Sequence, residues 1–438
     1  MKNDLFNHYT VSRYDKNKKV FSFQYVASPA TIFEYVSNHI EEDVPPIAES
    51  AIGRLVIEVF SFSDYHATNS YKFRKKIPSA RSIHPFLPVI HYQGFLFLFD
   101  ANSNAFSCFG YDSTKQNIIE LIICVDFWRT CSIYGEFGIS LTLLELGHLH
   151  SDIKWLVNDD DCLELESGEF CFAPYSSLTK SERITNANDL YVMSSLKIME
   201  LDDCLEGHMK PIHQMSIKKK YNYTAELQAL GIQLFLKQAE KTKIRFAKSY
   251  QNKINNLHGK RTQRHSLNKR QATFHLGPAL KLCLFKEFLS QLNENTKDWL
   301  LPNVSFYFFI HQVEDISRGV YKYEGDDIYL VTPNFYMYSI FYESQELMNL
   351  DTLPFLVLIT FTDLEDQSMA SFIESHIHVG EIVHTMSLLY SGEDTFTRPF
   401  KNINDAYCQK LCQTEQDEYF IYGCLFGYGK KRMGLKWR

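Results

Sequence analysis

Long apolar runs are missing from this chain of 438 residues. No stretch approaches the roughly 18 consecutive apolar residues that a transmembrane helix needs. The first 19 residues, MKNDLFNHYTVSRYDKNKK, carry charge where a signal peptide requires an apolar core. We therefore expect a cytosolic protein without a membrane segment.

A strong charge of one sign is also missing. The 45 Lys and Arg residues against 52 Asp and Glu residues give a formal net charge of −7. This balance supplies no global attraction for nucleic acid, so we expect no nucleic-acid partner. The apolar fraction of 45% and the charged fraction of 22% are those of a globular chain, which excludes a disordered or fibrous protein.

Motifs that would define a metal site are absent. The ten cysteines include no CxxC pair, and Cys408 and Cys412 alone do not complete a zinc site. We expect reduced, mostly buried thiols. Histidines at i and i+2, in HLH (148–150) and HIH (376–378), point about 200° apart on a helix and are predicted to be structural.

Three common signatures of enzyme sites are absent as well. The sequence contains no GxGxxG, no Walker A motif and no nucleophile elbow. Nicotinamide binding in a Rossmann domain, NTP hydrolysis at a Walker site and α/β-hydrolase chemistry are therefore disfavoured.

Composition divides the chain into three regions, 1–205, 206–265 and 266–438. The outer two are mixed, whereas apolar spacing and many lysines in 223–258 predict a helical, basic insert or linker in the middle. Six apolar stretches in the outer regions predict strands: 53–62, 94–100, 117–127, 305–313, 328–333 and 355–364.

The two outer regions contain five similar segments in the same order. These segments are a strand pair, a strand, a helix with one glycine, an SGE turn followed by a proline, and a terminal strand. For example, LTLLELGHLHSDIKWLVND (141–159) matches IESHIHVGEIVHTMSLLYSG (373–392). Five matches in register predict a duplicated chain that folds as an internal pseudo-dimer.

Four short motifs carry a family resemblance. PSARSIHP (78–85) resembles a PSAGALYP loop, and NKRQATFHLGPALKLCLFKEFL (268–289) resembles an Arg-rich segment that leads into a helix. FGYGKKR (426–432) resembles a closing strand with a glycine turn and a basic cluster, and SRGVYKYEGDDIYLV (317–331) resembles a hairpin. On these motifs the chain is similar to the nitroreductase-like flavoproteins, and among them to the SagB-like azoline dehydrogenases.

The resemblance implies an α+β fold: two tandem nitroreductase-like domains with central mixed or antiparallel sheets flanked by helices. In this family FMN lies at the interface of a homodimer. The PSAG-type loop comes from one subunit, and the Arg-rich segment and basic C-terminus come from the other. Here the loop occurs only in the N-terminal half and the basic terminus only in the C-terminal half. The resemblance therefore implies one composite FMN site and one inactive site.

Residues of both halves are implied to bind FMN. The doubly charged phosphate favours fixed positive charge and several hydrogen-bond donors. The implied residues are Pro78, Ser79, Ala80, Arg81 and Pro85 in the N-terminal half, and Lys269, Arg270, Gly427, Gly429, Lys430, Lys431 and Arg432 in the C-terminal half.

The resemblance also implies a reaction. SagB-like enzymes oxidise thiazoline or oxazoline rings to thiazole or oxazole in ribosomally made peptides such as bacteriocins, with oxygen as acceptor, beside a YcaO-type cyclodehydratase. Their Lys-Tyr pair aligns here with Ile133 and Tyr134, so the lysine is missing. Tyr134 and His84 are the candidate proton acceptors, and a lone tyrosine of pKa about 10 would need strong tuning.

Two alternatives stay open. Ile133 and Arg81 are also consistent with a flavin-free scaffold that binds the precursor peptide or the synthetase complex. A flavin-dependent reductase of dehydroamino acids would keep the cofactor and change the reaction. Further self-association of the pseudo-dimer stays open too.

Overall fold

A computed structural model provides the structure of the protein. It describes residues 33–65, 73–101, 103–174, 190–200, 210–219, 232–240, 242–246, 279–296, 303–325, 327–342, 350–362, 368–390, 395–415, 417–428 and 435–436. Within these ranges no helix is long and apolar enough to cross a bilayer.

The N-terminal half consists of one main sheet, three helices and three short or peripheral strands. Its elements are β1 (Phe33–Val44), α1 (Ala51–Phe60), β2 (Asp64–Tyr65), β3 (Phe73–Arg74), β4 (Phe86–Tyr92), β5 (Phe95–Asp100), β6 (Ala105–Tyr111), β7 (Glu120–Asp126), α2 (Phe127–Tyr134), α3 (Phe137–Asn158), β8 (Leu163–Pro174) and β9 (Leu190–Glu200).

The rest of the chain adds three elements of the middle region and a second sheet with its helices. The middle elements are β10 (Lys210–Lys219), α4 (Ile232–Ala239) and β11 (Lys243–Phe246). The C-terminal elements are α5 (Leu282–Thr296), β12 (Val304–Ile310), β13 (Gly319–Glu324), β14 (Asp327–Pro333), β15 (Phe355–Thr362), α6 (Met369–Leu389), β16 (Thr395–Phe400), α7 (Asp405–Cys412), β17 (Glu418–Tyr428) and β18 (Leu435–Lys436).

The two main sheets have the same strand order. The first contains β8-β9-β7-β4-β5-β6, with β11 added outside β8, and the second runs β16-β17-β15-β12-β13-β14. Neighbouring strands are antiparallel throughout both sheets. This identity confirms the predicted tandem α+β fold, while the boundaries at 205 and 265 stay predictions.

One predicted strand, 53–62, is wrong, because this segment forms helix α1. Ser50 caps the helix, its side-chain oxygen accepting a hydrogen bond from the Gly53 amide at 3.0 Å. The fully buried Ile52, Val56 and Val59 recur at helical spacing on the core side. Tertiary burial of this stripe outweighs the strand preference of its β-branched residues.

The helix predicted in 223–258 is present only in part among the described residues, because Ile232–Ala239 forms α4 whereas Lys243–Phe246 forms the strand β11. The strand β10 precedes this segment. β11 extends the first sheet by pairing with β8, and β10 pairs with β1. The buried Phe235 of α4 contacts Phe127 of the first half and Phe372 of the second, with ring centroids 6.2 and 6.4 Å apart. Helix α4 therefore packs against both halves.

Another difference concerns the SGE segment of the first half. Ser167, Gly168 and Glu169 lie inside β8, where the pairing with β9 shifts register, rather than in a turn. The corresponding 391–394 of the second half lie outside the described residues.

The two halves meet where α3 crosses α6, at the glycine that each helix contributes. A Cβ atom built on Gly147 would lie 2.0 Å from the carbonyl oxygen of Ile377, and one on Gly380 would lie 2.3 Å from that of Leu144. Only glycine permits this approach of two helix backbones. The duplicated glycines of the sequence thus form the contact at the centre of the pseudo-dimer.

Buried polar side chains link the halves beside this crossing. His148 Nδ1 lies 3.4 Å from His384 Nδ1, and its Nε2 lies 3.3 Å from the hydroxyl of Tyr422. His384 Nε2 lies 3.4 Å from Asp152 Oδ1. His150 instead stacks on Phe170, with ring centroids 4.8 Å apart. The prediction that His148 and His150 point in different directions is confirmed.

The described cysteines are free thiols. Seven of the nine are buried, whereas Cys162 is half-buried and Cys283 exposed. Burial raises the pKa of Cys108 to about 11 and also raises that of Cys412. Cys108 and Cys412 are therefore protonated packing groups at neutral pH.

Candidate functional site

The loop 78–85 joins β3 to β4 through a short 3-10 turn at Ala80–Ser82. The Ser79 hydroxyl oxygen accepts a hydrogen bond from the His84 amide at 2.8 Å. Ser82 and His84 have φ angles of +54° and +48°, a conformation that residues with side chains adopt at a cost. The surrounding structure must therefore hold this loop in place.

Arg129 of α2 provides that support. Its Nη1 donates a hydrogen bond to the His84 carbonyl oxygen at 3.2 Å, and its Nε lies 3.7 Å from Asp126 Oδ2. Asp126 also caps α2 by accepting from the Trp128 amide at 3.1 Å. Arg129 and Asp126 are buried, which strengthens their attraction and fixes α2 against the loop.

The two predicted proton acceptors lie at opposite ends of this loop–α2 unit. The buried His84 has its Nδ1 3.9 Å from Glu145 Oε1 of α3, and its ring meets Phe62 edge to face at 6.3 Å. Tyr134 ends α2, is half-buried and contacts the Phe137 ring at 6.3 Å. Their roles as proton acceptors stay predictions.

A buried lysine beside the loop was missed by the sequence reasoning. The Lys75 Nζ lies 5.6 and 5.5 Å from the ring centroids of Phe60 and Phe62. Burial lowers the pKa of Lys75 to about 8. The charge of Arg129 lowers this pKa as well, whereas the charges of Glu145 and Asp100 raise it. No sequence pattern distinguishes this lysine from the adjacent Lys76.

Lys75 makes stability depend on pH. The folded state releases this proton near pH 8, whereas the unfolded chain keeps it up to about pH 10.4. The unfolded state therefore binds more protons in that window, and the free energy of unfolding is expected to rise with pH there. Lys75→Met should remove a slope of at most about 1.4 kcal/mol per pH unit in urea unfolding. The exposed Lys281→Met is the control, and an unchanged slope in Lys75→Met would contradict this interpretation.

Two arginines, one from each half, interact electrostatically. Arg74 ends β3, four residues before the loop begins, and Arg398 lies on β16. Both are half-buried, and burial followed by the charge of Arg74 lowers the pKa of Arg398. A like-charged pair of this kind favours an anion between the two guanidinium groups.

A signal for Arg398 was present in the repeat. The first copy reads FCFAP and the second TFTRP, so Ala173 of the first half corresponds to Arg398 of the second. Comparing the copies position by position would have found a charge gained in only one half. Arg74 has no such signal, because its role depends on the other half.

The C-terminal strand reaches the same place. In β18, Leu435 pairs with Tyr65 and Lys436 with Asp64 of β2, and β2 in turn pairs with β3. The chain that leaves the second sheet after β17 therefore returns to the strand pair in front of the loop. This connection brings the end of the C-terminal half to the N-terminal loop.

The predicted FMN-binding residues are described only in part. Pro78, Ser79 and Ala80 are half-buried, Pro85 is buried, and the backbone of Arg81 lies in the 3-10 turn. Gly427 lies within β17 opposite Phe396, whose ring would be 2.6 Å from an added Cβ, so this glycine makes room for a phenylalanine. The others lie outside the described residues: Lys269, Arg270, Gly429, Lys430, Lys431 and Arg432.

A second lysine missed by the sequence reasoning reaches across the interface. The buried Lys401 follows β16, and its Nζ donates a hydrogen bond to the Ser140 hydroxyl of α3 at 2.6 Å. The same Nζ lies 5.5 Å from the centroid of the Phe137 ring, which contacts Tyr134. The C-terminal half thus places an ammonium group against a ring that also contacts Tyr134.

Comparison with known proteins identifies the fold. No protein-family model and no curated protein matches the chain. Among solved structures, a nitroreductase-like protein from Anabaena variabilis is similar over 97% of this chain and 99% of its own, at a TM-score of 0.69 and 12% identity. A nitroreductase-like protein from Ralstonia eutropha is similar over 39% of this chain and 84% of its own, at a TM-score of 0.30 and 11% identity.

A further match is a chain of the Escherichia coli microcin synthetase McbBCD, solved with truncated pro-MccB17 bound. It covers 36% of this chain and 68% of its own, at a TM-score of 0.28 and 13% identity. The full-length match to the Anabaena protein, together with the repeated strand order, gives the conclusion: this chain has a nitroreductase-like α+β fold in two tandem copies.

Proposed function

We propose that the chain binds one FMN between its two halves and uses it to dehydrogenate thiazoline or oxazoline rings of a ribosomally made peptide. The observation that carries this proposal is the electrostatic interaction of Arg74, which precedes the loop 78–85, with Arg398 of the other half. The pairing of β18 with β2 supports it by bringing the C-terminal segment to the same strands.

The residues present fit a phosphate group. The positive charges of the two half-buried guanidinium groups disfavour one another, and a dianion bound by both would replace that repulsion with charge-assisted hydrogen bonds. We propose that Arg74 and Arg398 hold the phosphate together with Arg270, Lys430, Lys431 and Arg432. FMN, when bound, supplies the acceptor for the hydride, while the protein supplies orientation and excludes water.

The protein's own task in the reaction is to remove a proton from the azoline ring. Loss of one proton and one hydride equals loss of two hydrogens and converts the azoline to the azole. We propose His84 as acceptor, because Glu145 at 3.9 Å stabilises the imidazolium that proton uptake creates. Tyr134 is the second candidate, and its ring contacts Phe137, the same ring that the Lys401 ammonium group contacts.

Partners follow from this reaction. We propose that the substrate is a precursor peptide that a YcaO-type cyclodehydratase has already converted to azolines. The other two functions, a flavin-free scaffold and a reductase of dehydroamino acids, are alternative outcomes of the test below. The absence of a lysine at Ile133 is the observation that favours the scaffold.

The test is the mass of an azoline-containing peptide after incubation with the FMN-loaded protein. The proposal predicts a loss of two hydrogens per ring, and a gain of two on a dehydroamino acid would identify a reductase instead. A colourless protein that cannot be reconstituted with FMN would leave the flavin-free scaffold as the function.

Arg270→Ala and Lys431→Ala should each weaken FMN retention without unfolding the protein. If both variants retain FMN as well as the unchanged protein does, the composite site is refuted.

A further inference from the structure

Four buried side chains form a series of contacts that crosses the interface between the halves three times. Asp152 Oδ1 of α3 lies 3.4 Å from His384 Nε2 of α6, and His384 Nδ1 lies 3.4 Å from His148 Nδ1 of α3. His148 Nε2 lies 3.3 Å from the Tyr422 hydroxyl of β17. The N-terminal half thus supplies Asp152 and His148, and the C-terminal half supplies His384 and Tyr422. We call these four residues the interface series.

The carboxylate at one end of the interface series determines where its protons lie. An ionised carboxylate only accepts hydrogen bonds, so Asp152 favours the His384 tautomer that carries its proton on Nε2. The Nδ1 atom of a neutral His384 is then an acceptor, and the facing Nδ1 of His148 must carry the proton. This leaves the Nε2 atom of His148 to accept a hydrogen bond from the Tyr422 hydroxyl.

Burial makes this arrangement selective. The side chains of Asp152, His148 and His384 lie fully inside the protein, and Tyr422 is buried as well. Two facing nitrogens of the same type, both donors or both acceptors, would leave a buried polar atom unpaired, which costs free energy. One proton on each ring, placed as described, gives the two rings and the Tyr422 hydroxyl partners of the opposite type.

The repeat does not provide a second copy of the interface series. Matching the two crossing glycines makes Ser151 the equivalent of His384 and Thr385 the equivalent of Asp152. Two N-terminal halves would therefore lack the central histidine, and two C-terminal halves would lack the carboxylate. The interface series requires one half of each kind.

We propose that Asp152 is a positioning residue that gives the interface series a single direction, with a proton on Nε2 of His384 and on Nδ1 of His148. Tyr422 is then the donor at the far end, so β17 is held against α3 in one hydrogen-bonded arrangement. This device joins an N-terminal half to a C-terminal half. The inference goes beyond the proposed flavin chemistry and does not depend on it.

Nitrogen chemical shifts of the imidazole rings test this inference on the full-length protein without any substitution. The protein is labelled with nitrogen-15 histidine, and the two rings are assigned through ring-to-backbone correlations. We expect two neutral rings, His384 with its proton on Nε2 and His148 with its proton on Nδ1. A proton on both nitrogens of His384, or on Nδ1 alone, would overturn the proposal.

Asp152→Asn tests which group selects the direction. An amide offers both a donor and an acceptor, so this variant should show a second tautomer in both histidine rings. Tyr422→Phe removes only the last donor and should keep both tautomers while shifting Nε2 of His148. Asp100→Asn, at a buried carboxylate of β5, is the matched control and should leave both rings unchanged. Unchanged single tautomers in Asp152→Asn would show that Asp152 does not set the direction.

Discussion

Gly147→Ala is expected to lower the free energy of unfolding by about 3 kcal/mol, which is at the upper end for overpacking in a core. The added Cβ would lie 2.0 Å from the carbonyl oxygen of Ile377 and 2.8 Å from the Cα of Gly380. These neighbours are backbone atoms, so the two helices must move apart. That movement would loosen the polar contacts of His148 and His384 beside the crossing.

The sign of this effect is itself informative. In a helix without such a contact, alanine is more favourable than glycine by about 1 kcal/mol. A destabilised Gly147→Ala protein therefore reports the crossing of α3 and α6 directly. The measurement is urea unfolding monitored by circular dichroism.

A matched control replaces a glycine away from the crossing. Gly325 has a φ of +67° and no atom within 4 Å of an added Cβ, and asparagine tolerates that conformation. Gly325→Asn should keep most of the stability. If Gly147→Ala is as stable as the unchanged protein, the two halves do not meet at these glycines.

Arg398→Gln is expected to weaken FMN binding about tenfold to a hundredfold, because one hydrogen bond to a charged group contributes about 1.5 to 3 kcal/mol. Arg74→Gln should act similarly, although it lies in the other half. Equilibrium dialysis of FMN against each variant measures the effect.

Arg398→Gln should not lower the free energy of unfolding of the protein without FMN. Burial and Arg74 both disfavour the charged form of Arg398, as the lowered pKa indicates. Removing that charge should leave the apo protein at least as stable as before. Weaker binding combined with undiminished stability distinguishes a ligand-binding arginine from a structural one.

Arg54→Gln is the matched control for both arginines. Arg54 is exposed on α1 and donates to the Glu49 carbonyl oxygen. FMN retention in this variant should equal that of the unchanged protein. If Arg398→Gln also retains FMN unchanged, the arginine pair does not bind the phosphate.

The architecture could be predicted from the sequence because duplication leaves a pattern that one chain reveals by itself. Segments 141–159 and 373–392 matched in sequence and became the equivalent helices α3 and α6. Local patterns failed where tertiary contacts decide the structure. The β-branched residues of α1 resemble a strand, and β11 forms because β8 offers an edge.

The candidate site was less predictable for a related reason. Its loop, 78–85, has a sequence motif, but the residues that face it come from distant parts of the chain. Arg74 and Arg398 are more than 300 residues apart in sequence, and Lys401 reaches Ser140 across the interface between the halves. Such pairs become visible only when the fold brings them together.

The most direct test of the composite site is the number of FMN molecules bound per chain. Absorbance of the purified or reconstituted protein, followed by quantification of the FMN released on denaturation, gives this ratio. We predict one FMN per chain, since the loop occurs in one half and the basic terminus in the other. A ratio of zero after reconstitution, or of two, would contradict a single site built from both halves.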